Sequence, residues 1–236
     1  DEPEWGIRGK SMTERVVPGI DTFLGESRFK SQRIGLITNH SGVTSAGVPT
    51  WKALMQAGFR LTALFGPEHG FRGEAQDAVH VGDETFAGVR VHSLYGERQR
   101  PTAAMLADVD LLVFDIQDVG CRYYTYLYTL AYALEAASRA GKTFCVLDRP
   151  NPIGGAAVEG SPIPEEAASF VGGYGLPPRT GFTVGEYASY LRGEYFTAAR
   201  VEVIPLEGWR RRMFFGETGL PWLAPSPNLP WVSTAL

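Results

Sequence analysis

The sequence predicts an α/β fold: a Rossmann-like, mostly parallel sheet with helices on both faces. Three observations predict it. Apolar runs of about five residues recur without polar alternation, as strands buried on both faces do. Helix-like stretches separate these runs, which implies βαβ units and a parallel sheet. Each run gives way to a short polar loop before the next helix begins.

The elements follow in order. Arg33-Ile34-Gly35-Leu36-Ile37-Thr38 is the first β-type run and ends at Asn39-His40-Ser41-Gly42. A helix is expected from about Pro49 to Ala57, closed by Gly58. The second strand, 61–65, ends at Gly66-Pro67-Glu68-His69-Gly70. A third is expected at Val89–Leu94, and a fourth at Asp110–Phe114, running into Asp115-Ile116-Gln117-Asp118. Thr125 to Ala140 reads as a strong helix with Gly141 as its C-terminal stop. The fifth strand, 143–147, ends at Asp148-Arg149-Pro150-Asn151. Residues 156–182 are rich in Gly and Pro and read as an excursion or lid. Thr183 and Glu186 fit a capping box that opens a helix to about Leu191, and Val201–Pro205 is a further strand. The whole chain, 1–236, reads as one Rossmann-like domain, with residues 1–18 as an N-terminal extension.

Composition narrows the function. The chain has 236 residues, 44% hydrophobic and 20% charged, which is enough for a sizeable core. Net charge is −4 and no basic block stands out, so no nucleic-acid partner is expected. No window of about 18 apolar residues exists, so no membrane span is expected. The acidic start, Asp1-Glu2-Pro3-Glu4, does not read as a signal peptide, and compartment stays open between cytoplasmic and secreted or periplasmic. Two cysteines, Cys121 and Cys145, are too few for a disulfide framework; Cys145 reads as a buried small hydrophobe.

In open parallel sheets, ligands bind in the crevice beyond the carboxyl ends of the strands. Four polar clusters fall there: Asn39 with His40, Glu68 with His69, Asp115 with Gln117 and Asp118, and Asp148 with Arg149 and Asn151. Glu68 is the sharpest residue. Pro67 fixes the backbone before it, and Gly66 and Gly70 permit a tight loop. A carboxyl held there, partly desolvated, suits a general acid; a structural reading pairs it with Arg72 or with the next helix. Glu68, His69 and Asp118 form the candidate catalytic set. His40 and His69 read as hydrogen-bonding side chains, because no tight metal-ligand spacing supports a metal. Tyr123, Tyr124, Tyr126 and Tyr128 follow Arg122. Their hydroxyl-tipped rings suit a sugar, although helical spacing makes about half of the set core. No G-x-G-x-x-G, P-loop or G-x-S-x-G pattern appears, so no dinucleotide, phosphate or serine-hydrolase signature is present and no cofactor is expected.

The chain resembles the exo-β-N-acetylmuramidase family of glycoside hydrolases. The resemblance rests on GID at 19–21, GLITNHSGV at 35–43, GPEHGFRG at 66–73, DIQDVGCRYYTY at 115–126, LDRPNPIGG at 147–155, GFTVGEYA at 181–188 and PSPNLP at 225–230. It implies an N-terminal Rossmann-like domain with the catalytic centre, a smaller C-terminal domain beyond this chain, and release of terminal N-acetylmuramic acid from the non-reducing end of peptidoglycan fragments. By motif, Glu68 is the implied catalytic acid. The resemblance departs at Thr180, where the family pattern usually has a histidine. Asp115 or Asp118 is open as base or nucleophile, beside attack by the substrate's own acetamido group. Arg72, Arg122 and Arg149 are candidates for the lactyl carboxylate, because guanidinium suits carboxylates. Asn39, His40, Asp115, Gln117, Tyr124, Tyr126, Asp148 and Asn151 complete the candidate substrate-binding set. Two other readings stay open: a glycan-binding module without turnover, and a metal-dependent hydrolase using His40, Glu68, His69 and Asp118.

Overall fold

A computed structural model of the chain describes residues 15–68, 70, 84–96, 98–225 and 229. Its elements in chain order are α1 (Gly19–Phe23), β1 (Arg33–Thr38), α2 (Thr50–Gln56), β2 (Arg60–Gly66), β3 (Glu84–Phe86), β4 (Val89–Ser93), β5 (Leu111–Asp115), α3 (Tyr126–Arg139), β6 (Thr143–Leu147), α4 (Val184–Glu194) and β7 (Arg200–Ile204). The strands form one sheet in the order β3-β4-β2-β1-β5-β6-β7. All neighbours are parallel except β3, which turns back antiparallel on β4. The expected runs at 34–38, 61–65, 110–114 and 143–147 therefore lie parallel and side by side.

Alternate residues of each strand feed two cores. Leu112, Phe114, Phe144 and Val146 pack with Leu130 and Leu134 of α3 and Tyr187 and Leu191 of α4. Leu111, Val113, Cys145 and Leu147 pack with Ile20 and Phe23 of α1 and Leu54 of α2. Because both faces are covered, every residue of β5 is buried, and this is why the strands read as unbroken apolar runs.

The differences from the expected elements are local. The short edge strand β3 was not expected. It is joined to β4 by Ala87 and Gly88, both with positive φ, the backbone of a two-residue hairpin turn. Helix α4 continues one turn beyond Leu191, to Glu194. Residues 156–182 carry a single 3₁₀ turn, Glu165–Ala167, and isolated β-bridges such as Glu159 to Arg179. The expected capping box is present: the Glu186 amide donates to Thr183 Oγ1, and the Thr183 amide donates to Glu186 Oε2 at 3.0 Å. Thr183 Oγ1 also donates to Asp148 Oδ2 at 3.0 Å, tying α4 to the end of β6. Thr183→Ala is expected to cost roughly 1–2 kcal/mol, seen as a lower urea midpoint with unchanged slope and restored by Thr183→Ser.

This topology positions the site. Chain order reverses between β1 and β5: β2 and β4 continue to one side of β1, β6 and β7 to the other side of β5. Such a switch point opens a crevice beyond the strand ends. The loop after β1 lies close across the end of β5. A Cβ on Gly42 would sit 2.1 Å from Thr38 Oγ1 and 2.6 Å from the Asp115 carbonyl oxygen, so only glycine fits.

Candidate active site

Glu68 follows β2 by two residues and is half-buried. Its Oε2 accepts a 2.5 Å hydrogen bond from Thr125 Oγ1, at the start of α3. Tyr95, on the loop after β4, lies near this carboxylate, whose charge holds the phenol above its ordinary value. Tyr126 stands beside the same carboxylate, and its hydroxyl is pushed well up, first by burial and then by Tyr124 and Glu68. The rings of Tyr124 and Tyr126 meet edge to face at 4.8 Å.

A hydrogen-bond chain runs from this cluster across the switch point. Asn39 Nδ2 donates to the Tyr126 hydroxyl at 2.7 Å, which donates to the Pro225 carbonyl at 2.8 Å. Asn39 Oδ1 accepts from the amide and hydroxyl of Ser41 at 2.9 and 2.6 Å, and Ser41 Oγ accepts from the Gln117 amide at 3.1 Å. Both ends of the Asn39 amide are thus specified. His40 Nε2 donates to the Ala224 carbonyl at 2.6 Å, so the segment at 224–225 is fastened over the loop after β1. His40 Nδ1 is buried without a hydrogen-bond partner among the described residues.

Asp118, on the loop after β5, is 6% exposed. Its Oδ2 accepts from the Gly120 amide at 2.7 Å, while Oδ1 is buried and has no hydrogen-bond partner among the described residues. Burial pushes its carboxyl up to about 7 against the opposing pull of the Gly120 and Val119 amides. A carboxyl poised there can give or take a proton near neutral pH.

Other expected site residues serve the framework. Asp115 is fully buried; both of its oxygens are taken by Arg149 Nε at 2.6 Å and Nη2 at 2.9 Å, with Thr50 Oγ1 also on Oδ2. Arg149 Nη2 additionally donates to the Val43 carbonyl at 2.7 Å. A buried bidentate pair of this kind fixes two strand ends together. Arg149 does line a small pocket with Ser41, Gln117, Phe215 and Leu223, but Glu68 is not among its lining residues. Gln117 Nε2 bridges the Asp118 and Pro150 carbonyls at 2.8 and 2.9 Å. Asp148 accepts from Thr183 and from the Gly185 and Arg149 amides; burial still raises it to about 6. Asn151 holds its own turn, accepting from the Ile153 amide and donating to the Phe182 carbonyl. Arg122 Nη1 donates to the Ser161 and Leu176 carbonyls, so it anchors residues 156–182 against the loop after β5.

The strand-end clusters therefore divide. Glu68, Asn39, Tyr124 and Tyr126 come together; Asp118 lies buried on the adjoining loop; Asp115, Asp148, Arg149 and Asn151 are bonded to the protein itself. As expected, half of the tyrosine set is core: Tyr126 and Tyr128 are buried, while Tyr123 is exposed. Thr180 is buried, and its amide donates to the Gly120 carbonyl. His69 and Arg72 lie outside the described residues. Among the described residues no three His, Cys, Asp or Glu side chains gather as metal ligands. Sequence reasoning missed Ser41, Tyr95 and Thr125. Ser41 had a signal, because a hydroxyl two residues after an Asn is a common turn arrangement; Thr125 read only as the residue before a helix.

Comparison with known proteins agrees with this architecture. Residues 34–233 match the family described as exo-beta-N-acetylmuramidase NamZ, N-terminal. A peptidoglycan beta-N-acetylmuramidase NamZ of Bacillus subtilis (strain 168) is 48% identical over 225 residues, covering 93% of this chain and 54% of that protein. Two crystal structures of DUF1343 family proteins from Bacteroides fragilis superpose with TM-scores of 0.87 and 0.78, at 41% and 32% identity. They cover 94% and 93% of this chain, and 58% and 59% of theirs. The chain thus spans somewhat over half the length of these relatives.

Proposed function

We propose that this chain, which belongs to the exo-β-N-acetylmuramidase NamZ N-terminal family, carries the catalytic centre of a glycosidase. Its substrate is the terminal N-acetylmuramic acid at the non-reducing end of a peptidoglycan fragment. The observation that carries this reading is the setting of Glu68: a half-buried carboxyl beyond the end of β2, gripped by Thr125 and bordered by Tyr95 and Tyr126, with Tyr124 packed on Tyr126. Hydrolysis of a glycoside needs a proton for the departing oxygen and stabilisation of an oxocarbenium-like state. Glu68 supplies the proton. Asp118 is the second carboxyl, because Asp115 has both oxygens bound to Arg149. Asp118 acts either on water or by steadying the substrate's acetamido group as that group attacks. Tyrosine rings offer apolar faces to the sugar and hydroxyls to its rim.

The test is direct. The intact protein is incubated with a disaccharide bearing N-acetylmuramic acid at its non-reducing end, and free monosaccharide is followed with and without a chelator. Release in both conditions is expected. Binding without release would make the chain a glycan-binding module, and loss of release on chelation would make it a metal-dependent hydrolase.

A further inference from the structure

Thr125 occupies the N-cap of α3 but does not cap it. A threonine there ordinarily accepts from the second or third amide of its helix. Thr125 makes no such bond, and its backbone is helical (φ −69°, ψ −13°) rather than extended. The same chain caps α4 fully with Thr183, whose backbone is extended (φ −76°, ψ 166°). The hydroxyl of Thr125 goes instead to Glu68 Oε2, 57 residues away in sequence, at 2.5 Å. Thr125 is only 8% exposed, so water competes little for that bond. A helix terminus gives up its cap, and a carboxyl on a separate loop gains a fixed donor.

We propose that Thr125 is a positioning residue for Glu68: its hydroxyl holds the carboxyl in the one orientation that meets the glycosidic oxygen. The proposal rests on the reading of Glu68 as the acid. Glu68 has three side-chain torsions and lies on a loop, so without this donor its carboxyl samples several orientations. Proton transfer tolerates little misplacement, and an error of about 1 Å costs up to ~10²-fold. The effect falls on turnover rather than on sugar binding, because the Thr125 hydroxyl is committed to Glu68 and not to the sugar.

The experiment compares Thr125→Val, Thr125→Ser and Glu68→Gln in the intact protein, on the natural disaccharide and on an aryl N-acetylmuraminide. Thr125→Val is expected to lower kcat by roughly 10–10²-fold with KM changed less than about 3-fold. Its loss should shrink on the aryl substrate, whose leaving group departs with little protonation. Thr125→Ser should recover most of kcat. If Glu68→Gln is inactive yet Thr125→Val turns over normally, the positioning role is overturned and the acid reading survives. A Thr125→Ser loss as deep as that of Thr125→Val, or a Thr125→Val loss equal on both substrates, also overturns it. If Glu68→Gln itself turns over normally, the acid reading falls and takes this proposal with it.

Discussion

Glu68→Gln is expected to lower turnover of the natural disaccharide by roughly 10²–10⁴-fold, the usual contribution of general acid–base catalysis. The amide keeps the shape of the carboxyl, and its oxygen still accepts from Thr125, so the loop and α3 should remain joined. What is lost is the proton. The loss should therefore depend on the leaving group, being deep for a sugar alcohol and shallow for an activated phenol. A Glu68 that serves only to anchor Thr125 predicts another pattern, with a lower melting temperature and equal loss on both substrates. Turnover on the two substrates, with a melting curve beside them, separates the two cases. Near-normal turnover of the disaccharide would remove Glu68 from the chemistry.

The sheet was legible because its physics is repetitive. A strand buried on both faces must be apolar throughout, and Leu111–Phe114 or Phe144–Leu147 can hardly be read otherwise. The short edge strand β3 was not legible, since three residues carry no period and Ala87-Gly88 is not a common hairpin pair. The site was legible in position and less so in detail. Strand-end logic brought Asn39, Glu68, Asp115 and Arg149 to one end of the sheet. It could not say that Asp115 and Arg149 would satisfy each other, because that depends on β5 and β6 lying side by side. Nor could it find Thr125, whose role rests on a contact between residues 57 apart. Local sequence specifies which end of a strand is polar; only adjacency decides which polar groups are left for a substrate.

Asp118 shows what such a leftover group costs, and Asp118→Asn is expected to make the protein more stable and less active. The sign follows from where the proton sits. The carboxyl titrates at an ordinary 3.8 when unfolded and at about 7 when folded, chiefly through burial. Between those values the folded state holds more protons than the unfolded one, so stability falls as pH rises across that window. The penalty is absent below the unfolded value and complete above the folded one. At about 1.4 kcal/mol per pKa unit, its size is on the order of 4 kcal/mol. Asparagine keeps an oxygen for the Gly120 amide and carries no charge to bury. The variant's advantage should therefore be small near pH 4 and grow to a plateau above pH 7. Asp148, raised by burial to about 6, is common to both proteins and cancels in the difference. Turnover should drop by roughly 10²-fold or more, because the amide can neither take a proton from water nor steady the attacking acetamido group with a charge. A residue whose removal stabilises the fold and disables it is kept for function. Chemical denaturation of both proteins from pH 4 to pH 8 checks the first half, and release of the sugar checks the second. A stability difference that ignores pH would refute the buried charge, and undiminished turnover would refute Asp118 as the second carboxyl.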